Sequence, residues 1–412
     1  MNYRSITQSL GRRDVMKMAA MLAVAGATAN RAMAQGEPIK VGVLSDMNGP
    51  YSDQAGPGSV VAAKLAIEDV GGTVAGRRVE LVVGDHQNKA DIGVGIAREW
   101  FGPGNVSMIS DFANSAVALG VSELLAANKK IALYSGVSST QLIGKACSPY
   151  GVLWAHDTWA ISAGLMTAAA KEGARTFYFI TADYAFGHSL QADATGAIEA
   201  AGGKVLGTST HPVNTNDFSS FLLSARASGA DAVVLANAGA DLTNCLKQAA
   251  EFAITRKQKV LTPLMFIVDV HGLGLDVAQG LTFTQSWYWD LDDETRAWSK
   301  RFYAQRKKQA GDAQIACYSA TYQYLKAVER AGTTDAEAVM KELRAVTISD
   351  VFTKNGKIRE DGKMVFDRYL VRAKKPEDSK YEWDYLEVVR KIPASEAFRP
   401  LALSKDCSMV KI

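Results

Sequence analysis

Histidine and cysteine are scarce in this chain: five and four among 412 residues. His86, His156, His188, His211 and His271 lie far apart. Cys147, Cys245, Cys317 and Cys407 form no C-x-x-C pair and have no histidine at metal-ligand spacing. That excludes the zinc motifs, and no metal or cofactor is expected. Enzyme signatures are missing as well: G-x-S-x-G, H-E-x-x-H, a Walker loop and an intact G-x-G-x-x-G. Gly56-Pro57-Gly58 and Gly272-Leu273-Gly274 lack the third glycine. No enzyme is expected, although dispersed residues converge in many folded sites, so a hydrolase stays open. Beyond the N-terminal segment no apolar run is long enough to cross a bilayer. Strong charge is absent too. The formal net charge is +3, but residues 1–34 hold five basic side chains against Asp14. Their +4 leaves about −1 for the remainder, so a nucleic-acid partner has no support.

Those first 34 residues read as a cleaved export signal. Gly11-Arg12-Arg13-Asp14-Val15-Met16-Lys17 resembles a twin-arginine signal, followed by a small apolar segment, Met18 to Ala29. Ala32-Met33-Ala34 is an A-x-A cleavage site, with cleavage after Ala34 making Gln35 the new terminus. Gly11 stands where Ser or Thr is usual and Val15 where Phe is usual, so the general secretion route stays open. No cysteine follows the cut, which speaks against a lipid anchor. In an oxidising compartment the four cysteines allow two disulfides in three connectivities.

What is there is a regular alternation, in a length that suits about two domains. Ile39–Leu44 is an apolar run of the kind that forms a buried parallel strand. A loop rich in turn formers follows (Ser45 to Gly58), then a helix ending at Gly71–Gly72. Val79–Gly84, Val106–Ile109 and Ile131–Tyr134 are further strands. They leave through the polar loops Asp85–Asn88, Ser110–Ser115 and Ser135–Thr140. A second strand–helix series starts near residue 156. Its strands are Thr176–Ile180, Lys204–Thr210, Ala232–Leu235 and Leu264–Val268; Asp217 is a plausible N-cap. The spacing then predicts a strand from Thr282, an aromatic exit Trp287-Tyr288-Trp289, and three helices between Glu294 and Leu343. Short strands follow around Asn355-Gly356 and Asp361-Gly362. The pattern is α/β: two Rossmann-like, doubly wound lobes, whose strand ends would border a crevice.

The opening IKVG, the Gly/Pro-rich loop and the following helix resemble the mature N-terminus of type I periplasmic solute-binding proteins. These are the branched-chain amino-acid-binding family of ABC importers, and the resemblance covers nearly everything after residue 38. TADYAFGHS, HPVNTNDFSSFL, KQAAEF and DCSMVKI are similar to a branch associated with aromatic acids. The resemblance implies a type I periplasmic binding protein fold with a multi-strand hinge and three interlobe crossings. That places 38–155 plus 286–346 in lobe 1, 156–285 plus 347–395 in lobe 2, and 396–412 in a C-terminal tail. It also implies a disulfide between Cys147 and Cys407, with Cys245 and Cys317 as buried thiols or a weaker pair.

By the same resemblance, Asn114, Ser115, Ser138 and Ser139 correspond to residues that grip a ligand carboxylate from two loops. Such loops precede helices, whose N-termini attract anions. Helix capping uses the same residue types, so both readings stand for the loops alone. On the other lobe Phe186 occupies the place of a ligand-facing Tyr, after Asp183 and Tyr184. Asn237 ends the next strand. Asp269 lies where amino-acid binders hold an ammonium group, although His271 nearby leaves that chemistry open. Asp183 and Asp269 equally fit solvated turn or cap residues. Trp154, Trp159, Trp287, Tyr288 and Trp289, near the lobe boundaries, suit hinge packing or ligand contact. The function implied is a periplasmic, monomeric receptor with two partners, a small carboxylate (aromatic acid or amino acid) and an inner-membrane ABC permease. A soluble ligand sensor on the same fold and a hydrolase acting in the cleft are the alternatives.

Overall fold

The computed structural model describes residues 36–411. The expected leader and its cleavage after Ala34 lie outside the described residues. Two parallel sheets carry the molecule. In the first, β1 (Ile39–Ser45) is central, flanked by β3 (Arg77–Asp85) and β4 (Val106–Asp111), with β5 (Ile131–Tyr134) and β6 (Gly151–Leu153) beyond β4. The short β2 (Thr73–Val74) adds antiparallel to β3. Six of the seven β1 residues are buried, because helices cover both faces of the sheet. That two-sided burial is why its sequence is a continuous apolar run and not an alternating one.

The second sheet has the order β10-β9-β7-β8, from Thr176–Ala182 (β7), Lys204–His211 (β8), Ala232–Ala236 (β9) and Lys259–Leu261 (β10). β8, KVLGTSTH, alternates exposed and half-buried residues along most of its length. This is the pattern of an edge strand with one face in water. A three-stranded antiparallel sheet, β11 (Thr282–Gln285), β14 (Arg368–Ala373) and β15 (Leu386–Ile392), joins the lobes, beside the β12–β13 hairpin, Lys357–Ile358 with Met364–Val365.

Two differences from the sequence reading matter for the site. The run Leu264–Val268 is not a strand. The strand is Lys259–Leu261, and residues 267–273 are helical. Leu264 to Val268 are apolar because they are buried at the lobe junction, and a short apolar run does not by itself distinguish strand from helix. The return to the second lobe also comes later than residue 347. Ile348, Val351, Phe352, Met364 and Phe366 pack into the first core, whereas Val371, Trp383 and Leu386 pack into the second.

The tail is tied down covalently. Cys147 and Cys407, the pair that the resemblance implies, are joined across 260 residues of sequence, with Cα atoms 5.6 Å apart. Cys245 and Cys317 are buried free thiols. Beneath the tail, Lys363 is fully buried: its ammonium reaches the carbonyls of Leu153 and Ala155 and lies 4.6 Å from the Phe398 ring centroid. Burial pushes its pKa down to about 7.

Candidate ligand-binding cleft

The carboxyl ends of both parallel sheets face one another across a cleft of about 390 Å³, mouth included. Each strand end contributes a piece of wall. Tyr51 and Gln54 follow β1, Ala113 and Ser115 follow β4, and Gly136, Val137 and Ser138 follow β5. From the second lobe, Tyr184 and Phe186 follow β7, Ala238 follows β9, and Leu264 and Phe266 follow β10. His156, on the first crossing, and Ala313, at the start of the helix Asp312–Ala331, close the floor.

Local backbone geometry explains how the wall is built. Asp111, Phe112 and Ala113 all have positive φ, 80°, 78° and 43°, an unusual run for residues with side chains. The turn is held by the Phe112 N–H on the Leu44 carbonyl at 2.7 Å and brings Ala113 to the cleft. Gly136 is required beside it, because a Cβ there would sit 2.0 Å from Asp111 Oδ1. Both Asp111 carboxyl oxygens are buried without a hydrogen-bond partner, and burial pushes the group up to about 7. Ser115 then opens the helix Ser115–Asn128, whose positive dipole end lies at the wall.

The residues expected from the sequence divide into those the cleft contains and those it does not. Ser115, Ser138, Tyr184 and Phe186 line it. Asn114 caps its helix instead: Oδ1 accepts from the N–H groups of Ala116 and Val117 at 2.7 and 3.1 Å. The Ser139 hydroxyl turns to Ser189 at 3.2 Å, joining a buried set with Thr140, Thr158 and Asp193 that ties the lobes together. Asp183 is exposed and pairs with His188 at 2.9 Å. Asn237 is buried behind the wall, its Nδ2 donating to His211 Nε2 at 3.2 Å. Trp154, Trp287 and Trp289 turn their indole N–H groups to Ser319 and to the carbonyls of Val351 and Trp383. They brace the structure around the cleft, and neither they nor Trp159 and Tyr288 line it.

Asp269 is near the cleft but engaged. Its carboxyl oxygens accept from Gln54 Nε2, across the lobes, at 3.1 and 3.0 Å, and from the Phe266 N–H at 2.8 Å. Burial pushes its pKa up to about 7, against those two donors. Gln54, Tyr51, His156, Leu264 and Phe266 are wall residues that sequence reasoning did not single out. Tyr51 and Gln54 were legible only as two larger side chains among turn formers. Tyr51 stacks on Tyr184 with ring centroids 6.2 Å apart, and burial raises the pKa of both phenols, so both stay protonated donors.

A cleft between the facing strand ends of two α/β lobes, with hydroxyl and aromatic walls, defines a class of ligand-enclosing binding protein. The chain belongs to the periplasmic binding protein family, whose model matches residues 38–380. It is similar to a periplasmic binding protein from Burkholderia mallei, with 44% identity, TM-score 0.89, and 91% of this chain and 99% of that one covered. A branched-chain amino acid ABC transporter periplasmic ligand-binding protein from Burkholderia xenovorans LB400 gives 41% identity and TM-score 0.80, covering 90% and 99%. A solute-binding protein of an ABC transporter from Rhodopseudomonas palustris BisB5, in complex with 3,4-dihydroxybenzoic acid, shares the fold at 21% identity, TM-score 0.78, covering 87% and 98%. Among curated proteins, the Leu/Ile/Val-binding protein homolog 6 of Brucella abortus is 26% identical over 53% of this chain and 55% of its own length. The chain thus spans about half the length of the curated relatives it matches. Among the described residues no helix is long and apolar enough to cross a membrane.

Proposed function

We propose that this protein is the periplasmic receptor of an ABC importer and that its ligand is a small aromatic carboxylate. One observation carries the ligand reading: the cleft wall has four aromatic residues, two serine hydroxyls and an imidazole, and no carboxylate. Serine hydroxyls and a helix N-terminus can hold an anion without a full positive charge. Tyr51, Tyr184, Phe186 and Phe266 provide faces for a ring, and burying about 150 Å² of ring favours binding by about 4 kcal/mol before ordering costs. An amino acid needs its ammonium paired in the same drying cleft. Asp269, the acid expected to do this, is held by Gln54 and is pushed toward its neutral form. The protein acts by binding alone: it is exported with its leader removed after Ala34, works as a monomer, and hands its ligand to an inner-membrane permease.

Calorimetry with benzoate and 3,4-dihydroxybenzoate beside leucine and valine tests this. The expected result is micromolar or tighter binding of an aromatic acid, with Asp269→Asn changing it by less than about twofold. Tight binding of leucine, abolished by Asp269→Asn, with no aromatic acid bound, would overturn the ligand assignment while leaving the receptor role intact.

A further inference from the structure

Among the side chains that line the cleft, His156 is the one imidazole. It is 2% exposed, on the crossing segment between β6 and the helix Thr158–Lys171, and it lines the cleft floor. Its Nδ1 faces Asp312 Oδ2 at 3.6 Å, too long for a hydrogen bond, and is left without a partner. Asp312 is itself held in place: Oδ2 accepts the Ser286 N–H at 2.7 Å and lies 3.9 Å from the buried Arg368 guanidinium. On the wall side, the Phe266 ring lies 5.6 Å from the imidazole, centroid to centroid. The Ser138 loop is tied to the same crossing, since the Thr158 N–H donates to the Ser138 carbonyl at 2.8 Å. A histidine is thus seated beside the hydroxyl loop proposed to hold the carboxylate, with an acid behind it.

We propose that His156 is a ligand-contacting residue that pairs with the bound carboxylate as an imidazolium, taking up one proton from solvent as the ligand binds. The inference rests on the carboxylate reading of the same cleft. The charged groups around the imidazole are Asp312 on its helix, Arg368 on β14, and Lys363, itself 3.8 Å from Asp157. Burial together with Arg368 and Lys363 holds His156 below its ordinary pKa, with Asp312 opposing. A buried anion added against the ring reverses that balance and favours the charged form. Asp269, behind Gln54, and Asp111, beneath Gly136, also titrate near the wall, both pushed up to about 7 by burial. A cationic ligand group would favour their charged forms and release protons, the opposite sign.

The test is calorimetry of the full mature chain with benzoate and 3,4-dihydroxybenzoate, in two buffers of different ionisation enthalpy, from pH 6 to pH 9. Expected for the wild type is uptake approaching one proton per ligand near pH 7.5, with affinity falling up to tenfold per pH unit through that window. His156→Gln should lose both the uptake and the slope, and bind at least tenfold more weakly at pH 6 with its melting temperature retained. A wild type whose heats are independent of buffer, or a His156→Gln variant that keeps the slope, overturns the proposal; the wild-type arm needs no variant to fold. If leucine binds in place of the aromatic acids, the aromatic assignment fails separately. The wild-type minus His156→Gln difference in proton uptake, measured on leucine, then still decides the role of His156. Binding of none of these acids defeats both readings.

Discussion

Gly239→Ala should weaken ligand binding more than it weakens the fold. Gly239 opens the helix Gly239–Glu251 on the second lobe, with φ of 61°. An alanine Cβ built there would lie 2.4 Å from the Pro50 carbonyl oxygen of the first lobe and 3.2 Å from Tyr51 Cδ1. The left-handed conformation costs a non-glycine residue about 1–2 kcal/mol whether the lobes are open or closed. The clash with Pro50 exists only when they are closed. Relieving it requires the lip to part by about 1 Å, since carbon–oxygen contacts settle near 3.3 Å. Parting breaks the Ala240 N–H contact to the same carbonyl, 3.4 Å here, and loosens the Tyr51–Tyr184 stack. These losses amount to about 1–2 kcal/mol, and because the ligand is enclosed by the closed form, affinity should drop about 5- to 30-fold. Calorimetry gives the dissociation constant, stopped-flow fluorescence should place most of the change in the off-rate, and apo melting reports the shared backbone cost. An unchanged dissociation constant with a lowered apo melting temperature would refute closure at this lip as the source of affinity.

Two further outcomes concern stability. Asp111, pushed up to about 7 by burial, contributes stability that is full below its unfolded pKa near 4 and is lost as pH rises through 7. Asp111→Asn, which keeps a residue that tolerates positive φ, should therefore be near neutral in urea melts at pH 4 and stabilising at pH 8, by no more than about 4 kcal/mol; equal effects at both pH values would contradict a buried neutral acid. Reducing the Cys147–Cys407 bond should cost up to about 5 kcal/mol in the chain-entropy model, read as a lower melting temperature under reductant. Non-reducing peptide maps should show Cys147 linked to Cys407 and free thiols at Cys245 and Cys317.

The fold was legible because its strands are buried on both faces. Runs such as IKVGVL and TFYFI, each followed by polar exits, announce parallel strands whatever their neighbours do. The three-stranded joining sheet was only partly legible, because β11, β14 and β15 come from distant segments and pair antiparallel, and nothing local in Thr282–Gln285 encodes its partner. Leu264–Val268 misled for the complementary reason. Its apolarity reflects burial between lobes, a tertiary fact that gives the same composition as a strand.

The site was harder to read than the fold, because one residue type serves two purposes at a strand end. Asn114 and Ser115 are adjacent and equally suited to capping or to binding an anion, yet the first satisfies its own helix and the second opens on the cleft. Which does which depends on the three positive-φ residues before them, a strain that only the packed Gly136 loop explains. Asp269 carries the point further. A carboxylate at a predicted ligand position reads as a cation site until its partner is seen, and its partner, Gln54, lies 215 residues away on the other lobe. The chemistry of this cleft is therefore set by how the lobes meet. Gln54 takes up Asp269, Asp312 stands behind His156 and Asp111 beneath Gly136, so the polar side chains left on the wall are hydroxyls, the Gln54 amide and one imidazole among aromatic and aliphatic carbon.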